Sequence, residues 1–392
     1  MRSFDAVLEA ELAELATLDR RRTCPEVEGL SRTRVTVDGE RRLSFCSNDY
    51  LGLADHPALA TAAAVAAQRE GFGASASRLV SGDLPAHRQL EQALARYLDR
   101  EAALLFPSGY QTNIGVLTAL AGPDDVIVSD ALNHASIIDG CRLSRARIVV
   151  YPHGDGDAAA HLLEAARTAR RRFLVTESLF SMNGDAAPLA RLAQAADVQD
   201  AILIVDEAHA IGVLGPRGRG LCAAAGVVPD VLIGTLGKAL AAAGGFAAGS
   251  RALRDLLINR ARTFIFTTAP PPPVAAAALA ALEIVDSSEG DRRRALLRAH
   301  ADRLAFQLPA LRPKTVGTPP DTAPGSPIQP FVVGTDIAAL TLSAALASRQ
   351  IFVPAIRPPT VPLGSARLRI TLSAAHLLAD VDRLLLALSP PE

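Results

Sequence analysis

Polar and ionisable side chains follow four apolar runs of the sequence, at the points where the runs end. They are Glu177, Ser178 and Ser181 after RFLVT, Asp206, Glu207 and His209 after AILIV, Thr235 and Lys238 after DVLIG, and His134 and Ser136 after DVIVSD. Asp, His and Lys together, without metal-ligand spacing, suit a pyridoxal phosphate site. There a lysine bonds covalently to the aldehyde, and an aspartate keeps the pyridine nitrogen protonated so that the ring accepts electrons. We therefore expect pyridoxal 5′-phosphate as cofactor and no metal ion.

Such a site also needs groups that bind the phosphate. The segment FPSGYQTN places Ser108, Gly109 and Tyr110 between an apolar run and the helical pattern NIGVLTALA. Backbone amides at a helix N-terminus point outward and the helix dipole favours an anion there. We expect the phosphate at this helix start.

Two other functions compete with covalent catalysis for Lys238, which lies in GTLGKALAAAGG. The residues around Lys238 do not match a nucleotide-binding P-loop, because the motif's first glycine is missing and Ala239 stands where the motif needs Ser or Thr. The glycines of GPRGRG likewise lack the order of a dinucleotide site. A lysine on a plain surface turn remains the third possibility, and the ionisable groups after four runs argue against it.

The composition excludes several classes of function. A formal net charge of −1 over 392 residues gives no overall field that would attract nucleic acid or an anionic membrane. The four cysteines have no paired spacing, so we expect neither a zinc site nor a disulfide framework, and a reducing cytoplasm is the simplest location. Acidic residues interrupt any signal-peptide core, and no apolar run has the length of a membrane span.

Short apolar runs alternate with helical patterns between about residues 100 and 270. This alternation predicts an α/β fold with a mostly parallel sheet, whose chemistry lies at the carboxyl ends of the strands. Beyond Pro270–Pro273, a long helix is expected to lead to a smaller α/β domain. The expected parts are an N-terminal helix and short β segment (1–46), a large cofactor-binding domain (47–283) and a small C-terminal domain (284–392).

The N-terminal segment predicts an amphipathic helix with one face to bury. Its apolar residues at helical spacing are Phe4, Val7, Leu8, Leu12 and Leu15. In contrast, the segment from Pro309 to Phe331 is rich in proline and glycine, which excludes a continuous helix or a central strand.

An ordered series of motifs resembles the α-oxoamine synthases, a pyridoxal-phosphate family of the aspartate-aminotransferase fold (fold type I). The series is SNDYLGL, SRLVSGDLPAHRQLE, SGYQTN, NHAS, TESLFSMNGD, DEAHAIGVLGPRGRG, GTLGKA and RLRITLSAAH. Within this family, IRPPTVP and SPIQPFVVG look most like the acyltransferase of biotin biosynthesis that condenses L-alanine with a pimeloyl thioester, carried by CoA or by a carrier protein.

The resemblance implies a role for each matching position. Lys238 is implied as the Schiff-base lysine, Asp206 as the partner of the pyridine nitrogen, His134 as the group stacked on the ring and His209 as the partner of the phenolic oxygen. The other implied cofactor contacts are Ser108, Gly109, Tyr110, Glu177, Ser181 and Thr235, with Thr267 or Thr268 reaching the phosphate of the other subunit of a homodimer. The implied substrate contacts are Arg20, Asn48, His134, Thr360 and Arg369.

Some assignments stay open at this point. Arg367 lies on the same strand face as Arg369, and Arg21 or Arg22 could replace Arg20. Ala74 and Ala76 stand where the family usually has glycine, which could alter the acyl channel or the alanine pocket. A synthase that uses glycine or serine, or a non-catalytic scaffold subunit, are the alternatives; Lys238 argues against a scaffold.

The histidines without a site context are expected to be ordinary surface or core residues. They are His56, His153, His161, His300 and His376.

Overall fold

The computed structural model describes residues 3–29, 31–311 and 321–389. Within it the chain forms two compact units. The large unit comprises Asn48–Ser181 and Asp185–Leu297, and the small unit comprises the described residues of 1–47, 182–184 and 298–392. The domain limits expected from the sequence, 1–46, 47–283 and 284–392, remain a prediction.

The described residues form strands and helices in the following chain order. The strands are β1 (Val27–Glu28), β2 (Arg34–Val37), β3 (Glu40–Ser44), β4 (Ala102–Phe106), β5 (Val126–Asp130), β6 (Arg147–Tyr151), β7 (Arg172–Glu177), β8 (Ile202–Asp206), β9 (Val231–Thr235), β10 (Gly245–Gly249), β11 (Ile328–Gly334), β12 (Ile351–Phe352), β13 (Ala355–Ile356) and β14 (Ala366–Thr371). The helices are α1 (Phe4–Thr17), α2 (Pro57–Glu70), α3 (Pro85–Tyr97), α4 (Gly109–Leu120), α5 (Ala135–Ser144), α6 (Gly156–Ala165), α7 (Leu189–Val198), α8 (Leu221–Ala225), α9 (Arg251–Arg260), α10 (Arg262–Ile265), α11 (Pro272–Val285), α12 (Ser288–Leu311), α13 (Asp336–Ser348) and α14 (Leu378–Leu388), with a 3₁₀ turn at Pro216–Gly218.

The large unit contains a seven-stranded sheet in the order β4-β10-β9-β8-β7-β5-β6. The pairs from β6 through β5, β7 and β8 to β9 are parallel, and β10 is antiparallel to both of its neighbours. The apolar runs AALLF, DVIVSD, ARIVVY, RFLVT, AILIV and DVLIG form the strands β4 to β9, which confirms the predicted, mostly parallel sheet. β10, with the sequence GFAAG, carries no strong strand signal and was not anticipated.

Both faces of this sheet are buried. On β7, Phe173 and Val175 point into one core cluster and Leu174 points into the other. Because side chains alternate across a strand, continuous apolar runs supply both faces at once. Residues of α4, α5 and α9 complete the first cluster, and residues of α6 and α7 complete the second. The carboxyl ends of the strands are thereby held on a rigid frame.

The helices that start at this sheet begin at polar residues. The side chain of Ser108 accepts a bond from the amide of Gln111 at the start of α4, and His134 accepts one from the amide of Ser136 at the start of α5. Asp155 caps α6 in the same way. These caps fix where the loops end and where each helix dipole points.

The small unit contains two sheets, in the orders β1-β2-β3-β12 and β11-β14-β13. Pro330 lies in β11, an edge strand, where the missing amide costs least. The helix α12 continues through Pro309 to Leu311, so the sequence-based helix limit was placed too early. Residues 312–320 of the proline-rich segment lie outside the described residues.

Helix α1 forms as predicted, but its apolar face is not buried. None of its residues is buried, and Phe4 is 74% exposed. No described element packs over this face closely enough to bury it, so the need to bury it remains a prediction.

Candidate active site

The carboxyl ends of β5, β7, β8 and β9 bring the predicted ionisable groups to one edge of the sheet. These four strands are mutually parallel neighbours, so the loops that follow them leave on the same side. Glu177 and Asp206 are direct register partners on β7 and β8. His134 follows β5, and Lys238 follows β9.

Lys238, His209, Tyr50 and Asn48 form a chain of hydrogen bonds. Lys238 Nζ lies 2.8 Å from His209 Nε2, and His209 Nδ1 lies 2.7 Å from the hydroxyl of Tyr50. That hydroxyl donates to Asn48 Oδ1 at 3.0 Å. Because the tyrosine gives its proton to Asn48, its oxygen can accept a hydrogen bond from His209 Nδ1. The other ring nitrogen, Nε2, faces the lysine amine.

Asp206 is oriented by two donors. The side-chain amide of Asn113 donates to Asp206 Oδ2 at 2.7 Å, and the backbone amide of Ala208 donates to Oδ1 at 2.8 Å. Asn113 also donates to Ser136 Oγ at 2.9 Å, and this hydroxyl lies 2.7 Å from His134 Nδ1. The aspartate expected at the ring nitrogen and the histidine expected to stack on the ring are thus joined through Asn113 and Ser136.

His134 has a lowered pKa. Burial has the largest effect, the charge of Asp206 opposes it, and the charge of Lys238 adds to it. Its Nδ1 atom accepts a hydrogen bond from the amide of Ser136 at 3.2 Å. A neutral ring follows, which suits stacking on an aromatic cofactor.

Glu177 is buried, and its carboxyl has a strongly raised pKa. Burial raises it most, the charge of Asp206 raises it further, and the charge of Lys238 opposes them, giving a pKa of about 8. Hydrogen bonds from the backbone amides of His134 and Ser181 lower this pKa to a smaller extent, so both amides lie near the carboxyl. Its Oε1 atom is buried without a hydrogen-bond partner among the described residues. At neutral pH this side chain carries a proton that it can donate.

The expected phosphate contacts meet at the start of α4. A Cβ atom on Gly109 would lie 3.4 Å from Thr235 Oγ1, so the backbone of Gly109 and the Thr235 side chain are neighbours. Thr235 Oγ1 also accepts the amide of Gly237 at 3.2 Å. The amides of Gly109 and Tyr110 precede the first intrahelical bond, from the Thr112 amide to the carbonyl of the N-cap residue. The Tyr110 hydroxyl itself points to Asp139.

Thr267 and Thr268 lie on the loop after α10. Thr267 donates its hydroxyl to the carbonyl of Thr268, whose side chain is exposed. The loop is held by His87, whose Nε2 atom lies 2.7 Å from the carbonyl of Pro270. Their proposed reach to another subunit remains a prediction.

In the small unit, the segment that carries Arg20 lies beside the turn that carries Thr360. Arg22 Nη2 donates to the carbonyl of Pro358 at 3.1 Å, and Arg357 donates to the carbonyl of Asp19. Arg20 itself pairs with Asp336, with Nε and Oδ2 3.4 Å apart. The structure therefore places two of the predicted substrate contacts, Arg20 and Thr360, on neighbouring segments.

Arg367 and Arg369 differ in their surroundings on β14. Arg367 is buried, and its guanidinium donates to Asn183 Oδ1 at 2.6 Å and to the carbonyl of Ser365 at 3.0 Å. Arg369 is half-buried and close enough to Cys46 for its charge to lower the pKa of that thiol, against the larger raising effect of burial. Both arginines stay candidates for binding a substrate carboxylate, and Arg369 is the one that the family resemblance implies.

Pyridoxal phosphate fits the donor set of the large unit. Lys238 supplies an amine for the aldehyde, Asp206 supplies an acceptor for a pyridinium N–H, and the start of α4 supplies amides for a phosphate. The absence of a Cβ on Gly109 leaves its amide approachable beside Thr235. Within the described residues, Oε1 of Glu177 and Oδ1 of Asn113, whose amide donates to Asp206, are buried without a hydrogen-bond partner.

Two residues of this site were not singled out from the sequence. Asn113 and Tyr50 lie inside the quoted motifs SGYQTN and SNDYLGL, but their bonds join residues 93 and 159 positions apart. Motif membership was the only sequence signal for them. Their partners could not be read from spacing.

Comparison with known proteins identifies the family. A family model described as aminotransferase class I and II matches residues 40–388. The chain belongs to the aminotransferase class I and II family. Among its relatives in this family, the 8-amino-7-oxononanoate synthase of Anaeromyxobacter sp. (strain K) is 51% identical, over 97% of this chain and 94% of the relative. The 8-amino-7-oxononanoate synthase of Bordetella petrii is 49% identical, over 97% and 96%.

Solved structures agree with the aminotransferase class I and II assignment. Serine palmitoyltransferase of Sphingomonas wittichii superimposes with a TM-score of 0.89 at 31% identity, covering 98% of this chain and 96% of the other. A serine palmitoyltransferase variant from S. paucimobilis with bound PLP gives 0.91 at 28% identity, covering 99% and 98%. The 8-amino-7-oxononanoate synthase of Francisella tularensis gives 0.76 at 28% identity, covering 88% and 96%.

These findings confirm the predicted fold type I and the class of pyridoxal-phosphate enzyme. They also confirm the predicted resemblance to an α-oxoamine synthase, because eight curated relatives carry one shared name of that kind. No helix within the described ranges has both the length and the apolar character needed to cross a membrane. The same residues contain no cluster of His, Cys, Asp and Glu suited to a metal ion.

Proposed function

We propose that this chain catalyses the decarboxylative condensation of L-alanine with a pimeloyl thioester, which yields 8-amino-7-oxononanoate, CO2 and a free thiol in biotin biosynthesis. The observation that carries the proposal is the contact of Lys238 with His209 beside Asp206, in a chain about half identical to curated 8-amino-7-oxononanoate synthases over nearly its full length. Serine palmitoyltransferases share the fold, but at lower identity, so glycine- or serine-using reactions are less favoured.

Pyridoxal phosphate supplies an aldehyde that bonds to amines and a ring that takes up the electron pair released when a bond at Cα breaks. In the reaction, a bond forms between alanine Cα and the thioester carbonyl carbon. The carbon–sulfur bond breaks and the thiolate leaves, taking up a proton to become the free thiol. The alanine carboxylate departs as CO2, and a proton is added to Cα in its place.

Lys238 has two tasks in this scheme. It holds the cofactor covalently before substrate arrives, and its released amine then takes the Cα proton of alanine. His209 Nε2 lies 2.8 Å from that amine, and the family resemblance gives His209 the phenolic oxygen of the cofactor as its partner. Tyr50 holds His209 in place from its other side.

Asp206 faces the ring nitrogen and accepts a hydrogen bond from its N–H, held in orientation by donations from Asn113 and the amide of Ala208. His134 lies across the ring, and Ser108, Gly109, Tyr110, Ser181 and Thr235 bind the phosphate end. Glu177 contributes a buried proton near these groups. Each of these roles follows from the side chain's place at the sheet edge and from the family resemblance.

Arg369 binds the alanine carboxylate through its planar guanidinium and so decides which Cα bond stands perpendicular to the ring. Asn48, Arg20 and Thr360 contact substrate. Two copies of the chain form a homodimer in which Thr267 or Thr268 reaches the partner's phosphate. The exposed apolar face of α1 is consistent with assembly. The enzyme works in the cytoplasm.

One experiment tests the substrate assignment. The cofactor-loaded protein is offered L-alanine, glycine or L-serine with pimeloyl-CoA and acyl-CoAs of other lengths, and products are identified by mass. We expect 8-amino-7-oxononanoate, with alanine preferred over glycine by about 10-fold or more, the discrimination that one methyl group in a pocket provides. Lys238→Ala is the control without activity. Preferred use of glycine or serine would overturn the assignment.

A further inference from the structure

His153 lies between two carboxylates outside the motifs assigned to the cofactor. Its Nδ1 atom is 2.9 Å from Asp130 Oδ1, and its Nε2 atom is 2.6 Å from Asp185 Oδ2. The imidazole also meets the ring of Phe180 edge-on, with centroids 4.4 Å apart. Both carboxylates are buried, whereas the histidine side chain is 20% exposed. This geometry does not fit the ordinary surface or core histidine expected from the sequence.

The contacts determine the charge of His153. An ionised carboxylate only accepts hydrogen bonds, so each ring nitrogen must carry a proton to bond with the oxygen it faces. The ring is therefore an imidazolium. Burial lowers the pKa of His153, but the hydrogen bonds and charges of Asp130 and Asp185 outweigh it and raise it to about 10.

Asp130 belongs to the turn that leads to His134. It is the last residue of β5, and its carboxylate also accepts the amide of Leu132 at 2.8 Å and the amide of Gly154 at 3.0 Å. Asn133, in the same turn, accepts the amide of Glu177 at 3.0 Å. The carboxylate of Asp130 thus fixes the path of the backbone just before His134.

Asp185 ends the loop that carries Ser181. Its carbonyl accepts the amide of Phe180 at 2.9 Å, which closes the loop on itself. Leu179 and Ala186 pair across the base of the loop. Asp185 Oδ1 has no hydrogen-bond partner among the described residues, so the bond to His153 is the principal tie of this carboxylate.

We propose that His153 is a positioning residue, which as a cation between Asp130 and Asp185 holds the turn carrying His134 and the loop carrying Ser181 at a fixed separation. This inference rests on the proposed function, since it assigns a purpose to the separation of two groups that flank the cofactor. His153 itself contacts neither cofactor nor substrate. It acts on the residues behind those that contact a ligand, and such residues determine how accurately the contacting groups are positioned.

The test measures cofactor binding rather than turnover. The PLP-free protein is titrated with PLP, and both the dissociation constant and the visible circular dichroism per bound PLP are recorded. His153→Gln removes the cation and one of the two bonds. Asp185→Asn keeps the shape of the side chain but removes a charge, so it tests the same tie with less disturbance of packing. His161→Gln, on the exposed side of α6, is the matched control.

We expect the PLP dissociation constant to rise about 10-fold in both variants, as loss of outer-shell supports does at metal sites, while the control stays within twofold. The double variant should be no more than twofold weaker than the weaker single variant, because both changes break one connection. A rise below threefold in either single variant would overturn the proposal, even if melting temperatures fall. If the unmodified protein itself binds no PLP, the proposed function fails rather than this inference alone.

Discussion

The raised pKa of Glu177 makes a quantitative prediction about the pH dependence of stability. In the folded protein this carboxyl has a pKa of about 8, against an ordinary value of 4.5. Between these values the folded chain holds a proton that the unfolded chain releases, so stability is full below pH 4.5 and is lost as pH rises towards 8. At about 1.4 kcal/mol per pH unit, the loss between about pH 5.5 and 7.5 amounts to about 2–3 kcal/mol.

Glu177→Gln removes this proton exchange while keeping the shape of the side chain. We expect the melting temperature of the PLP-free wild-type protein to fall about 5–10 °C more than that of the variant between about pH 5.5 and 7.5, at about 2–4 °C per kcal/mol for a domain of this order of size. Thermal unfolding followed by circular dichroism at both pH values measures it. Any destabilisation by the Gln amide that does not depend on pH cancels, because only the change in melting temperature between the two pH values is compared.

Glu164→Gln is the matched control, because Glu164 is exposed on α6 and should follow the wild-type pH profile. Other ionisations are common to all three proteins and drop out of the difference. Parallel melting curves for wild type and Glu177→Gln would refute the argument that this carboxyl is protonated in the folded chain.

Three further variants test separate parts of the site. Arg369→Lys loses the bidentate fork, so the KM for L-alanine should rise by about 10-fold, whereas Arg367→Lys should mainly lower the melting temperature; equal KM effects would contradict this division. Tyr50→Phe removes one hydrogen bond to His209 and should lower kcat/KM by about 3–10-fold, the value of a net bond of about 0.5–1.5 kcal/mol; an unchanged kcat/KM would argue against the chain of bonds. Gly220→Ala places a Cβ atom 1.7 Å from Glu207 Oε2 at a φ of +95°, so its melting temperature should fall by at least about 5 °C; wild-type stability would count against this steric account.

The sheet and the positions of the reactive groups could be predicted because both follow from local rules. A run such as AILIV, buried on both sides, encodes its own strand, and the parallel arrangement then places the residues after each strand at one edge. β10 escaped because GFAAG combines residues with weak strand preference and is identified only by its pairing with β4 and β9. The surface that packs against the apolar face of α1 could not be predicted either, because periodicity shows that a helix has an apolar face but not what contacts it.

Supporting residues are harder to predict than reactive ones, because their role depends on partners far along the chain. His153 is flanked by a proline and a glycine. The local sequence does not predict its contacts with Asp130 and Asp185, which lie 23 and 32 positions away. Its treatment as an ordinary histidine was reasonable from spacing alone. Only the folded positions of two strand-end loops reveal that both ring nitrogens face carboxylates.

The two carboxyl groups at the strand ends have different surroundings although they are neighbours. Glu177 and Asp206 are register partners on adjacent strands, so two negative charges there would repel each other. Asp206 has two donors, from Asn113 and Ala208, whereas one oxygen of Glu177 has none among the described residues. The raised pKa of Glu177 keeps a proton on this side chain at neutral pH, next to the residue that we propose to face the pyridine nitrogen. Asn113, which no chemical argument from the sequence selected, supplies the side-chain donor that distinguishes Asp206 from Glu177.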